Sequence, residues 1–186
     1  MKKYTLLKLI SILIITSTFS GCDSSPHDSK HSVDINYQEN QYPKAILPIN
    51  LFVTELHDSS ISVLEARRRN LVGKNLSVEG FIGTRRDPFS ANRASFILGD
   101  DTIETCDQIL GDNCPTPWDA CCEDRNKIRE RILSIQILDN NHSLIHGNLN
   151  GVGGLKPGLK IKVLGTVDTH SLPSAMVLNA TKIQVL

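Results

Sequence analysis

The sequence predicts a mainly β domain: a small closed or partly open barrel of five to six short strands, with one helix before the first strand and a cysteine-rich insertion. Three observations carry this prediction. The segment Gly73-x-x-Leu76-x-Val78-x-Gly80-x-Ile82 recurs at identical spacing as Gly158-x-x-Ile161-x-Val163-x-Gly165-x-Val167. Both copies alternate apolar with other residues at period two, the pattern of a strand with one buried face. Each also holds an interior glycine, which in a strand marks a bulge or sharp bend and lets a short sheet curl.

The chain opens on MKKYTLLKLISILIITSTFSGC, with a basic start at Lys2 and Lys3 and an apolar run from Leu9 to Phe19. That run is too short to span a bilayer, and small residues Ser20 and Gly21 follow it, so residues 1–21 read as a cleaved export signal. Phe19-Ser20-Gly21-Cys22 resembles the lipobox of bacterial lipoproteins, with Phe19 where Leu is usual. The resemblance implies that Cys22 becomes the lipidated first residue and that the protein faces the periplasm. Asp23 after it is similar to an inner-membrane retention signal. In such an oxidising compartment the other cysteines must be oxidised or metal-bound.

The leader carries Lys2, Lys3 and Lys8 and no acid, so 17 of the 20 basic residues remain downstream against all 20 acidic ones. A net charge of −3 is a poor footprint for a phosphate-backbone binder, so a nucleic-acid partner is not expected. Residues 22–45 are polar with little periodic hydrophobicity and read as a flexible tether. His27 and His31 within it could form an i, i+4 metal pair on a helix, but Pro26 and the Ser/Asp neighbours favour the tether. Residues 46–186, roughly 140 in number, suffice for one domain with its own core.

Within that domain, Ser59 or Ser60 can cap a helix carrying Ile61, Leu64, Arg68 and Leu71 on one side. Arg67, Arg68 and Arg69 then fall late in the helix, where basic residues suit the dipole. After the first glycine-marked strand come Ala94–Leu98 and Ile132–Leu138. A turn at Asp139–His142 leads to a shorter strand at Leu144–Leu149. The second glycine-marked strand follows, then a last one at Met176–Leu186 with Val177, Ala180 and Ile183 among its apolar positions. A helix leading into Gly-Lys-x-h-x-V-x-G-x-h, with five or six short strands after it, resembles the OB-fold over roughly residues 55–186. That resemblance implies a face able to bind oligonucleotides or oligosaccharides, but the fold alone identifies no function.

The insertion, residues 101–127, lies between the second and third barrel strands. It carries Cys106, Cys114, Cys121 and Cys122 at C-x7-C-x6-C-C spacing. Its Pro117-Trp118-Asp119-x-Cys121-Cys122-Glu123 run looks like one found in a family of bacterial OB-fold envelope proteins with no assigned activity. Three readings stand. Two disulfides could staple a loop poor in apolar residues, each worth on the order of 2–4 kcal/mol. An adjacent Cys121–Cys122 bridge is strained, which leaves Cys106–Cys121 with Cys114–Cys122, or Cys106–Cys122 with Cys114–Cys121. Alternatively the thiolates could hold a copper or zinc ion, although paired zinc knuckles are missing. Asp119, Glu123 or His142 would be further ligands. A small periplasmic copper chaperone with an OB-like barrel is loosely similar. Thiol–disulfide exchange is the third reading. Cys121 and Cys122 precede the helix-prone stretch Glu123–Arg131, but no Cys-x-x-Cys is present.

Trp118, the single Trp, reads as a plug packing the insertion on the barrel, or as a stacking platform for a ligand. Phe81 and Phe96, with Arg85, Arg86 and Arg93, could form a small binding face. No nucleophile elbow, zincin helix or P-loop occurs, and no acid/base pair has a supporting context. The expected function is therefore non-catalytic: a membrane-tethered envelope module that needs no cofactor and binds another envelope protein or a small ligand through the barrel face. Copper or zinc binding at the cysteines is the alternative, and thiol oxidoreductase the third.

Overall fold

A computed structural model describes residues 43–186. The leader, Cys22, Asp23, His27, His31 and the tether up to residue 42 lie outside the described residues. No helix among the described residues is long and apolar enough to cross a membrane.

In chain order the elements are β1 (Ser60–Ser62), α1 (Val63–Arg69), β2 (Asn75–Ile82), β3 (Ser95–Gly99), α2 (Arg125–Glu130), β4 (Ile132–Gln136), β5 (Lys160–Val167) and β6 (Val177–Val185). Single 3-10 turns sit at Cys106–Gln108 and Val152–Gly154. Strands β2, β3, β4, β6 and β5 pair in that order, and β5 returns to β2, closing a five-stranded barrel. All barrel pairings are antiparallel except β4 with β6. This is an OB-type barrel, with β1 as an extra strand parallel to β2.

The repeated segments do more than resemble each other. They are neighbours, antiparallel, and centred on the Val78–Val163 pair. Gly73 N–H donates to Val167 O at 2.9 Å, and Gly158 N–H donates to Ile82 O at 2.7 Å. The first residue of each copy is thus bonded to the last apolar residue of the other. Both glycines have positive φ, +71° and +84°, a conformation other residues adopt at a cost. The echo in sequence is a local two-fold in space.

Their alternating apolar residues face one core, where Val78, Ile82, Ile161, Val163 and Val167 meet Phe96, Leu98, Leu133, Ile135, Leu178 and Ile183. In β6 the buried positions run 178, 180 and then 183. Parity breaks because Leu164 pairs with Lys182 while Gly165 pairs with Ala180, leaving Thr181 as a bulge.

Two local expectations need correction. The helix starts later than Ser59 or Ser60 implies: Ile61 pairs with Val78 in β1, and the cap is Ser62, whose side chain accepts from Glu65 N. Its buried residues are Val63 and Ala66, and it ends on Asn70 in the left-handed conformation, φ +46°. Leu144–Leu149 is not a strand; it makes only isolated bridges, Leu138 to Leu144 and Lys44 to Asn148. Residues ahead of 46 also bond to this domain. Asn148 N donates to Pro43 O, Ala45 N donates to Asn148 O, and Phe52 bridges Ile183.

Candidate functional site

The insertion leaves β3 through Asp100 and folds back on itself before α2. Cys106 N donates to Asp119 O at 2.8 Å, and Asp107 N donates to Pro117 O at 3.2 Å. These two bonds lay segment 105–107 against 117–119 and bring Cys106 beside Cys121. A second small core of Phe81, Ile103 and Ala120, with Ile128 and Ile132 against it, anchors the excursion to β2 and β4. Trp118 ties it to the neighbouring loop: its indole N–H donates to Arg86 O at 3.1 Å, and its carbonyl accepts from Thr84 N at 2.9 Å.

Three thiols converge here. The sulfurs of Cys106, Cys114 and Cys121 all lie within 4.8 Å of one another, with Cys106 Sγ and Cys121 Sγ 3.5 Å apart. Sulfurs around one tetrahedral ion at Zn–S bonds of about 2.3 Å would be separated by roughly 3.8 Å, so little movement separates this arrangement from a ligand set. Cys106 is buried, Cys114 half-buried and Cys121 exposed, which opens the cluster to solvent on one side. Cys122 Sγ lies 3.8 Å from Cys121 Sγ but outside the three-sulfur group.

Local polar groups hold Cys114 in place. Asp112 Oδ1 accepts from Cys114 N at 2.9 Å, and the Thr116 hydroxyl lies 3.3 Å from Cys114 Sγ. Hydrogen bonding to the Thr116 side chain, and then to its backbone, holds the Cys114 thiol below its ordinary pKa. Burial pushes the Cys106 thiol far above its own, and hydrogen bonds with Cys121 and Cys114 push it the same way. A buried thiol that resists ionisation is a poor attacking group for disulfide exchange. The start of α2 offers little help, because Asp124 already accepts from Asn126 N and Lys127 N there.

The two-disulfide staple expected for the insertion is not formed: the structure has all four cysteines as thiols. A disulfide requires sulfurs about 2.05 Å apart, and the Cys106–Cys121 pair stands at 3.5 Å. The premise of that expectation also fails, since the second core and the main-chain bonds supply the order that cross-links were assumed to provide. Of the suggested extra ligands, the two carboxylates have partners of their own and His142 lies outside the cluster. Asp119 Oδ1 accepts from Ala120 N at 2.7 Å. Glu123 pairs with Lys127, which lowers its pKa. His142 sits in the turn after β4 with φ +60°.

The aromatic surface face is not assembled. Phe96 is 1% exposed and packs on Phe89 with ring centroids 5.8 Å apart. Phe81 is 8% exposed beneath the insertion. Arg85, Arg86 and Arg93 are exposed, without an aromatic platform between them. Sequence reasoning missed Thr116 and Asp112. The signal was local: an Asp two residues before Cys114 forms an Asx turn, and a Thr two residues after it can reach the sulfur.

No protein-family model and no curated protein matches the chain. Among solved structures it is similar to a crystal structure of a Leishmania major Friedlin protein assigned as an aspartyl-tRNA synthetase. The identity is 14% and the TM-score 0.38, over 73% of this chain and 23% of that one, so this chain spans under a quarter of that protein's length.

Proposed function

We propose that the protein is a lipid-anchored module of the bacterial cell envelope that holds a soft cation, Cu(I), at Cys106, Cys114 and Cys121. The observation that carries this reading is the convergence of three sulfurs within 4.8 Å, with the nearby carboxylates turned to other partners. Thiolates select soft ions. Structural zinc takes four closed ligands, and three converging sulfurs suit a three-coordinate Cu(I) better. The bound species thus moves from the barrel face, where Phe81 and Phe96 are buried, to the insertion.

The envelope address rests on Phe19-Ser20-Gly21-Cys22. It also bears on the thiols, because in an oxidising compartment neighbouring thiols pass to a disulfide unless a bound ion holds them as thiolates. A bound ion would do so. Labelled palmitate should enter the wild-type chain and fail to enter Cys22→Ala; labelling that survives the substitution would end the anchoring proposal.

Protein isolated without oxygen from copper-supplied cells should carry one copper per chain by elemental analysis and native mass spectrometry. Three thiols should resist alkylation until acid or chelator removes the ion, because protons and ligands compete for thiolates. Cys106→Ser should carry none. A metal-free chain with a Cys106–Cys121 disulfide would overturn the reading, and so would one zinc per chain engaging all four thiols.

A further inference from the structure

We propose a second site: the cleft between the insertion and the start of β5 binds a neutral sugar ring. The cleft encloses about 540 Å³, inside the range of roughly 300–1,000 Å³ typical of small-molecule sites. Its lining includes Trp118, Phe81 and Ile103 together with Asp101, Asp107, Gln108 and Lys160. It shares backbone with the thiol cluster, but at the 105–108 turn Cys106 joins the sulfurs while Asp107 and Gln108 line the cleft. Nor is it the face of the second and third barrel strands, here β3 and β4, through which OB barrels hold ligands.

The chemical class follows from which polar atoms are already engaged. Lys160 Nζ donates to Asp101 Oδ2 at 2.8 Å. Asp107 Oδ1 accepts from the Thr105 hydroxyl, and Gln108 Oε1 accepts from Thr105 N at 3.2 Å. The atoms left over are the second oxygens of both carboxylates, the amide N–H groups of Gln108 and the remaining protons of Lys160. The lining therefore holds both acceptors and donors with capacity to spare. An anion would meet Asp107, which has no cation partner among the described residues, and a cation would displace Lys160 from Asp101. A hydroxyl both donates and accepts, so a ring with several hydroxyls matches the mixed array as neither ion does. Its C–H face suits the indole, which the bond to Arg86 O holds in one orientation.

Trp118 is the only Trp in the chain, so no other indole contributes to the fluorescence read at this cleft. The full-length chain in detergent should be titrated with glucose, galactose and N-acetylglucosamine, with arginine and citrate as charged controls. At least one sugar should give a saturable change with a dissociation constant of roughly millimolar order, and the charged probes none. Lys160→Met and Asp101→Asn, both on the exposed rim, should each weaken that binding about tenfold. Their melting temperature and metal content should stay at wild-type values. No saturable response to any of the three sugars up to roughly 100 mM would overturn the proposal. A stronger response to arginine or citrate, or unchanged affinity in both variants, would do the same. Metal content measured on the same samples keeps this outcome separate from that of the thiol reading.

Discussion

Gly165→Ala should unfold or severely destabilise the barrel, by about 3 kcal/mol or more, a fall in Tm on the order of 10 °C. A Cβ at this position would stand 2.3 Å from Asn179 O and 3.0 Å from Ala180 Cα, all backbone of the neighbouring strand β6. No rotamer change can relieve such a contact, so the strands must part next to the Thr181 bulge. Gly80, the matching position of the other repeat, predicts the same result, because its Cβ would meet Gly99 O at 2.4 Å. Gly111→Ala is the control. Nothing lies within 4 Å of a Cβ there, and only the positive φ of +84° resists it, worth about 1 kcal/mol. Thermal unfolding of the three variants checks the argument. A Gly165→Ala Tm within the range of Gly111→Ala would mean that β5 and β6 can move apart cheaply.

The same glycines explain why so much of the barrel was legible in the sequence. Period-two alternation over Leu76–Ile82 and Ile161–Val167 is the direct imprint of one buried face, and Gly80 and Gly165 mark where backbone meets backbone. What the alternation does not carry is partner choice, so the pairing of the two copies with each other emerged only in three dimensions. The start of α1 was misplaced because Ser59, Ser60 and Ser62 are equally competent caps on local grounds. The pairing of Ile61 with Val78, a long-range event, selects Ser62. Leu144–Leu149 has strand-like composition, yet Gly147 holds φ +114° with Ala45 packed against it, so the N-terminal segment displaces a strand partner.

The site was legible as a set of residues rather than as a geometry. The crowding of cysteines pointed to the insertion, but C-x7-C-x6-C-C spacing is compatible with many closures. The two backbone bonds from 106 and 107 to 119 and 117 decide that Cys106 meets Cys121 and Cys114. The apolar support for the loop was undercounted because half of it, Phe81 and Ile132, belongs to the barrel. Phe81 and Phe96 looked like surface aromatics for the same reason: a strand shows which residues share a face, and only the insertion and the closed barrel decide that both rings are covered.

Asp100→Asn should cost about 2 kcal/mol at neutral pH, and that cost should shrink as the medium is acidified. Asp100 is buried at the end of β3 and reaches across to the start of α1. Its Oδ2 accepts from Leu64 N at 2.6 Å, and its Oδ1 accepts from Thr102 N at 3.1 Å and from the Thr102 hydroxyl. Burial by itself would push this carboxyl up. Hydrogen bonds from Thr102, Leu64 and Ser62 outweigh it and hold the pKa below the ordinary value. A carboxyl lowered by folding stabilises the native state fully above its unfolded pKa of about 3.9, and that contribution is lost as the pH falls through the folded value. An Asn at this position also sets an N–H₂ among these donors, so at neutral pH at least one backbone N–H loses its acceptor. The gap in Tm between wild type and Asp100→Asn should therefore be roughly 8 °C at pH 7, hold down to about pH 5, and narrow steadily toward pH 2–3. A gap that stays constant across that range would show that the charge of Asp100 contributes nothing, and that only the shape of the side chain joins α1 to the barrel.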